Sequence, residues 1–301
     1  MDACRNCGAQ TLKDLGFIGE IAPFFLKRVL NLECGMAPSA HPVKRFLRRM
    51  PFLSRAAQKI YGRSTLLELQ ICETCSFIQT TVPFPDEAIG KLYADYRTDS
   101  YNRERIHYEP EYALIAPSVG SSQQEIQART EGLTHWLRGK LSLDRDFSML
   151  DYGGADGKFL PHFPGRKYVF DISPVAPADG IVKIKNESDL GSYSYIQLAH
   201  VLEHVSFPLE ITRKAARLLN DSGHLYIEVP QELDDDTMRR LNGGGIGITI
   251  DIHEHINKYC QKSVLHLLRT AGLEPLEIQS EEVNFGWANA IIIRALARKS
   301  R

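Results

Sequence analysis

Beyond about Phe147 the chain falls into short apolar runs divided by polar turns rich in glycine and proline. Ser148–Tyr152 is the first run and stops at Gly153-Gly154. Tyr168–Ile172, Ile181–Ile184, Tyr195–Ala199 and His224–Val229 follow, and Glu274–Ile278 and Ala290–Ala295 come last. Runs of this length between turn residues predict strands. Pro208–Asn220 sets Leu209, Ile211, Ala215 and Leu218-Leu219 at roughly helical spacing and closes at Asp221-Ser222-Gly223. Ser263–Ala271 does the same with Val264, Leu267 and Leu268 before Gly272. Gln123–Lys140, with Ile126, Thr130, Leu133 and Leu137 on one side, predicts a helix leading into this region. Strands alternating with helices predict a doubly wound α/β sheet.

The first hundred residues lack that rhythm but hold five of the six cysteines. The 301 residues therefore divide into an N-terminal unit, 1–110, and an α/β unit, 111–301. Leu241–Gly247, with Gly243, Gly244, Gly245 and Gly247, reads as a mobile loop by composition. Hydrophobic residues at 43% and charged residues at 24% are ordinary globular values. With Lys+Arg 36 against Asp+Glu 37, whole-chain charge gives no sign of a nucleic-acid or anionic-membrane partner. No run of about 18 apolar residues predicts a membrane span, and the opening MDACRNCG lacks a signal pattern. Six cysteines are too few for a disulfide scaffold, so a reducing cytoplasm is expected.

Four of those cysteines form two CxxC pairs, Cys4/Cys7 and Cys72/Cys75. A two-residue gap lets a tight turn aim both sulfurs at one ion, and zinc favours four thiolates in closed structural sites. The expectation is one structural Zn2+ on these four, with unrelated turns or a redox pair as alternatives. Cys34 and Cys260 stand alone and read as core. Between Glu33 and Glu68 there is no acidic residue, whereas Lys44, Arg45, Arg48, Arg49, Arg55, Lys59 and Arg63 all fall there. This basic segment, 44–63, is either a solvated helical face or a surface for phosphate groups or a partner.

Asp151-Tyr152-Gly153-Gly154-Ala155-Asp156-Gly157 follows a strand, where glycines let a ligand approach the backbone and a following helix would offer free N–H groups. Asp171, near the end of the next strand, lies at the distance where dinucleotide folds place a ribose-binding acid. Each piece alone is a turn or a strand-end cap.

Together they resemble the class I S-adenosylmethionine-dependent methyltransferases. The glycine turn is similar to their D-x-G-x-G-x-G motif, with Ala155 where the middle glycine usually stands. Phe170-Asp171-Ile172-Ser173 resembles the second-strand acid motif, and Leu198–Val205 the segment after the fourth strand. Leu218–Leu225 resembles the turn before the fifth strand, and His253–Asn257 with Ala271–Leu273 a tail found in a subset. Ser194 departs from the pattern, which usually has an acid there. The CxxC pairs, Phe77-Ile78-Gln79 and Leu92–Arg97 resemble the zinc-binding N-terminal domain of a subset that includes sugar C-methyltransferases.

The resemblance implies a Rossmann-like methyltransferase sheet preceded by a small zinc domain. It implies S-adenosylmethionine held by Asp151, Gly153, Gly154, Ala155, Gly157, Asp171, Ala199 and His200, and a small, sugar-derived or nucleotide-linked acceptor. Its acceptor proton needs a base, for which His255 and His204 are the candidates; Glu254 would orient a histidine or bind a hydroxyl. Tyr93 and Tyr96 would reach in from the zinc domain. A protein, peptide or carrier-bound acceptor, or a non-catalytic cofactor-binding module, stays open as an alternative. The acceptor atom and the oligomeric state are not fixed by sequence.

Overall fold

Eleven strands lie in two sheets among the residues that the computed structural model describes, 3–32, 66–243 and 247–299. The smaller sheet runs β3-β2-β1-β9. Its strands are β1 (Leu12–Ile21), β2 (Leu66–Cys72), β3 (Ile78–Thr80) and, from far along the chain, β9 (Ile250–Ile252). β1 and β2 are antiparallel, and β9 adds parallel to β1, with Ile21 opposite Ile252. Helices α1 (Pro23–Leu30), α2 (Asp86–Tyr93) and α3 (Asp99–Tyr108) cover this sheet.

The larger sheet holds β4 (Ser148–Tyr152), β5 (Arg166–Phe170), β6 (Ile181–Ile184), β7 (Tyr193–Ala199) and β8 (Leu219–Pro230), all parallel. The hairpin β10 (Leu273–Asn284) and β11 (Asn289–Lys299) adds through β11, antiparallel to β8. The order β10-β11-β8-β7-β4-β5-β6 makes successive strands run outward both ways from the β4/β7 boundary. Open α/β sheets leave a crevice at the carboxyl ends of such a pair.

Helix α4 (Gln123–Leu137) lays Leu133 and Leu137 on one face, against Met149, Tyr195 and Tyr226. Helices α5 (Pro208–Arg217) and α7 (Gln261–Thr270) lay Leu209, Ala215, Val264, Leu267 and Leu268 on the other. Each buried leucine or valine among these contributes about 1.5–3 kcal/mol. Cys4, Cys72, Cys75 and Phe77 belong to that second core, so the N-terminal turns are part of the large sheet's helical layer. Helix α6 (Asp235–Asn242), which buries Leu241, precedes β9.

The predicted strands are all present, β4 and β6 with the expected bounds and the others with shifted ends. β5 ends at Phe170, which leaves Asp171 and Ile172 in the turn; β8, β10 and β11 are longer than their apolar runs. Among β10's twelve residues several outward positions are polar, as one face of an antiparallel edge hairpin permits. No helix follows the glycine turn. Pro161, Pro164 and Gly165 interrupt the crossover to β5, and two prolines that close together cannot continue a helix. Ser194 links β7 to β4 through Ser148 N–H at 3.4 Å and accepts from Asn220 Nδ2 at 3.2 Å. The basic segment 44–63, Cys34 and glycines 244 and 245 lie outside the described residues.

Charge is buried at the joint of these layers. Glu228 of β8, 1% exposed, meets Arg294 of β11 at 3.4 Å and Arg129 of α4 at 3.6 Å, and accepts from Tyr226 Oη at 2.6 Å. Arg294 also pairs with Glu281 at 2.7 Å. Removing one partner of a buried pair leaves the other charge uncompensated, at a cost of about 3–5 kcal/mol. Arg294→Met is expected to lose stability on that scale in urea denaturation. A loss under about 1 kcal/mol would mean that Arg129 and His200 suffice to neutralise Glu228.

Candidate active site

The turn after β4 is built on close approaches that exclude side chains. Gly153 has φ 80 and a Cβ there would lie 2.8 Å from Val201 Cγ2. A Cβ at Gly154 would overlap the carboxylate of Asp151, which is 1% exposed beneath the turn. Burial pushes Asp151 up to about 7, against the neighbouring Gln197 amide and the charge of Arg129. Gly157, with φ 77, closes the turn over Ile181 and Val169. Ala155 also stands in the left-handed region, φ 54, where the resembled motif has glycine. Its N–H donates to Asp171 Oδ2 at 2.9 Å, and Ser173 N–H donates to Oδ1 at 2.7 Å. The turn's N–H groups are largely used within the protein: that of Gly153 donates to Phe170 O, that of Gly157 to Gly154 O and that of Lys158 to Asp156 Oδ1. Asp171 braces the turn from the end of β5, and Ile172 beside it is 68% exposed.

Ala199 ends β7 opposite Glu228, and His200 turns the chain with φ 55. His200 Nδ1 lies 3.1 Å from Glu203 Oε1 and Nε2 lies 3.2 Å from Glu228 Oε1. Burial and Arg129 push its pKa down, but the two carboxylates outweigh them and hold it at about 9. His200 is therefore a cation at neutral pH, fixed between two buried acids. Burial raises the Glu203 pKa, but His204 and His200 bring it down to about 2.

His204 follows directly and meets His255, their ring centroids 4.8 Å apart. His204 Nδ1 lies 2.7 Å from Tyr93 Oη and 3.1 Å from the Glu254 carbonyl oxygen, and Nε2 lies 3.8 Å from Glu203 Oε1. Burial lowers its pKa, although Glu203 pulls the other way. His255 Nδ1 lies 3.0 Å from Glu232 Oε1, and Lys258 Nζ holds Glu232 Oε2 at 2.6 Å. Burial would lower His255 as well, but Glu232 raises it above the ordinary value. Two adjacent imidazoles thus have opposite bias. Donor-type atoms of Glu203, His204 and His255 all lie within 4.8 Å of one another.

The Glu254 carboxylate does not orient a histidine. It pairs with Arg105 and accepts from Tyr101 Oη at 2.8 Å, while its backbone carbonyl meets His204. Tyr93 reaches in from α2 as expected, and Tyr96 stacks edge-on against it at 5.5 Å. Glu232, Arg105 and Tyr101 were not legible as site residues, because they lie in segments with no motif. Glu203 was legible only as one position of the Leu198–Val205 segment.

The two CxxC turns converge. Cys4 Sγ lies 3.7 Å from Cys75 Sγ, and Cys7 Sγ lies 3.7 Å from Cys72 Sγ. A tetrahedral ion with Zn–S bonds of about 2.3 Å needs sulfurs about 3.8 Å apart, so the set fits zinc. The turns match: Gly8 N–H donates to Cys4 O at 2.8 Å, and Ser76 N–H to Cys72 O at 2.7 Å. Gly8 and Ser76 both have positive φ, 74 and 61. Asn6 Nδ2 donates to Ser263 O at 2.9 Å, and Leu209 N–H of α5 donates to Arg5 O at 3.3 Å. The first turn therefore binds both α7 and α5.

A family profile for the methyltransferase domain matches residues 123–278. The chain is also similar to a 1,6-didemethyltoxoflavin-N1-methyltransferase of Burkholderia thailandensis, solved with S-adenosylhomocysteine, at 17% identity and TM-score 0.46. That match covers 75% of this chain and 96% of the other. A magnesium protoporphyrin IX methyltransferase of Synechocystis, also solved with S-adenosylhomocysteine, is similar at 15% identity and TM-score 0.43, over 67% and 100% of the two chains. No curated protein sequence matches. Among the described residues no helix is long and apolar enough to cross a membrane.

The turn's geometry separates neighbouring substitutions. Gly154→Ala must displace the Asp151 carboxylate and is expected to cost about 1–3 kcal/mol in urea denaturation, as overpacking does. Ala155→Gly relieves a left-handed alanine and adds freedom to the unfolded chain, terms of about 1 kcal/mol each that oppose. Its stability should stay within about 1 kcal/mol of wild type. Equal stability of Gly154→Ala and wild type would refute the close approach.

Proposed function

The chain belongs to the methyltransferase-domain family, and on that premise we propose that it moves the methyl group of S-adenosylmethionine to a small, sugar-derived or nucleotide-linked acceptor, with the His204–His255 pair taking the acceptor's proton. The observation that carries this reading is a convergence at the β4/β7 boundary. The Gly153–Gly157 turn braced by Asp171 stands on one side, and the paired imidazoles of His204, after β7, and His255, after β9, on the other.

When bound, S-adenosylmethionine supplies an already activated methyl group, so the chain's work is to position an acceptor and remove a proton. Asp171 keeps acceptor capacity for ribose hydroxyls beyond the two N–H groups it receives, and exposed Ile172 offers an apolar surface for the base. Asp151 supports the turn from below. His204, held neutral by burial, is the proton acceptor, and Tyr93 Oη fixes its ring. His255, biased toward its charged form by Glu232, is the donor that orients an acceptor oxygen. Tyrosines and imidazoles line this side, which suits a hydroxyl-rich molecule. Glu254 holds the wall through Arg105 and Tyr101.

Calorimetric titration with S-adenosylhomocysteine tests the cofactor half. Asp171→Ala removes a charge-assisted hydrogen-bond partner, a loss of about 1.5–3 kcal/mol or roughly tenfold or more in Kd. Unchanged affinity would move the cofactor elsewhere. His204→Ala should lower kcat by about 10²–10⁴-fold and leave cofactor affinity intact. Because the His204 pKa lies below its ordinary value of about 6.5, its basic form is present at neutral pH and is lost on acidification. The kcat/KM profile should therefore be flat near pH 7 and fall below about 6.5. A wild-type rate in His204→Ala, with a collapse in His255→Ala, would exchange the two roles.

We also assign one structural Zn2+ to Cys4, Cys7, Cys72 and Cys75, in an N-terminal domain of residues 1–110, within a reducing cytoplasm that keeps the thiols free. Metal analysis should find one zinc per chain, and Cys72→Ser should lose it along with thermal stability. A folded wild type free of zinc would end this assignment.

A further inference from the structure

Arg97 adopts a left-handed backbone, φ 62, which costs a non-glycine residue energy that the surroundings must supply. The guanidinium lies over the Tyr96 ring, 4.8 Å from its centroid, and against Gly120, where a Cβ would overlap it. Its recorded hydrogen bond is a long one, Nη2 to Tyr96 Oη at 3.5 Å, and Nε is buried with no partner. Among the described residues no carboxylate reaches it within ion-pair distance. Other inward arginines have their acids: Arg105 has Glu254, Arg129 has Glu125 and Glu228, Arg294 has Glu228 and Glu281, and Arg28 has Asp95. Glu125 acts on Arg97 from farther off, but Gly120 N–H, Trp287 Nε1 and Arg129 already occupy its oxygens. A half-buried cation with five donors and one long contact is a group whose counter-charge comes from a ligand.

Its position says which ligand. The Tyr96 ring packs on Tyr93, and Tyr93 bonds His204, the proposed proton acceptor. Gly120 leads into α4, whose Arg129 shares Glu228 with His200 at the end of β7. Arg97 is thus linked through Tyr96 and Tyr93 to His204, and through Gly120 and Glu125 to Arg129. We propose that Arg97 binds the paired oxygens of an anionic group during methyl transfer, either the amino-acid carboxylate of the cofactor or an acidic group on the acceptor. The planar fork of a guanidinium matches carboxylate and phosphate alike. This inference rests on the methyl-transfer reading above.

The test is calorimetry on wild type, Arg97→Met and Arg97→Lys. Circular dichroism and thermal melting of the unliganded proteins establish that the variants are folded; Arg97→Lys keeps the charge if Arg97→Met is not. The probes are S-adenosylhomocysteine, 5′-methylthioadenosine, which lacks the amino-acid carboxylate, and inorganic pyrophosphate added to the S-adenosylhomocysteine-loaded protein. If Arg97 holds the cofactor, Arg97→Met weakens S-adenosylhomocysteine by about tenfold or more and leaves 5′-methylthioadenosine unchanged. If it holds the acceptor, both nucleosides bind as before, while saturable pyrophosphate binding is present in wild type and lost in the variant. In either case Arg97→Lys is intermediate, because charge is kept and the fork is lost. Wild-type affinities for all three probes in both variants overturn the inference. Failure of wild type to bind either nucleoside overturns the methyl-transfer reading itself.

Discussion

One carboxylate sets the terms for much of the molecule. Glu228 is buried, and a buried anion persists only where cations and hydrogen-bond donors surround it. Arg129 comes from α4 before the sheet, Arg294 from the antiparallel strand after it, and His200 from the end of β7. Satisfying Glu228 therefore fixes the helix over one face, the edge hairpin and the turn into the histidine segment together. The same contact keeps His200 charged, which in turn holds Glu203 ionised beside His204. The electrostatics around the histidine pair thus begin at a residue that lies outside it.

A second constraint joins the two parts of the chain. The Cys4–Cys7 turn gives a backbone oxygen to α5 and an amide to α7, while Tyr93 of α2 meets His204. Glu254 sits between Arg105 and Tyr101 of α3. The histidine pair is therefore walled by the N-terminal part and carried by the C-terminal part. Neither alone contains a complete site.

The strands of the larger sheet were legible because length and turn punctuation agree: a buried parallel strand such as β4 is a short run built on Met149, Leu150 and Tyr152 that stops at two glycines. Their ends were less legible. β7 begins at Tyr193 rather than Tyr195 because Tyr193 pairs with Leu219, a tertiary contact with no local signal. The helix expected after Gly157 fails on Pro161 and Pro164, which were visible in the sequence and outweigh the motif's precedent. In the site, Cys4, Cys7, Cys72, Cys75, Asp171, His204 and His255 carry local spacing or motif context. Glu232 and Arg105 do not, because what brings them to His255 and Glu254 is the path of the chain in space.

The parallel pairing of β9 with β1 has a consequence for how the molecule comes into being. Ile252 meets Ile21, and Glu254 and His255 follow within three residues. That short strand is a closure between opposite ends of the chain, and contacts so distant in sequence form late, after the loop entropy between them has been spent. On a ribosome, the segment that carries His255 emerges long after β1 and has to find its edge. A chain ending before residue 250 would hold β1 and the glycine turn without the β9 edge that precedes Glu254 and His255.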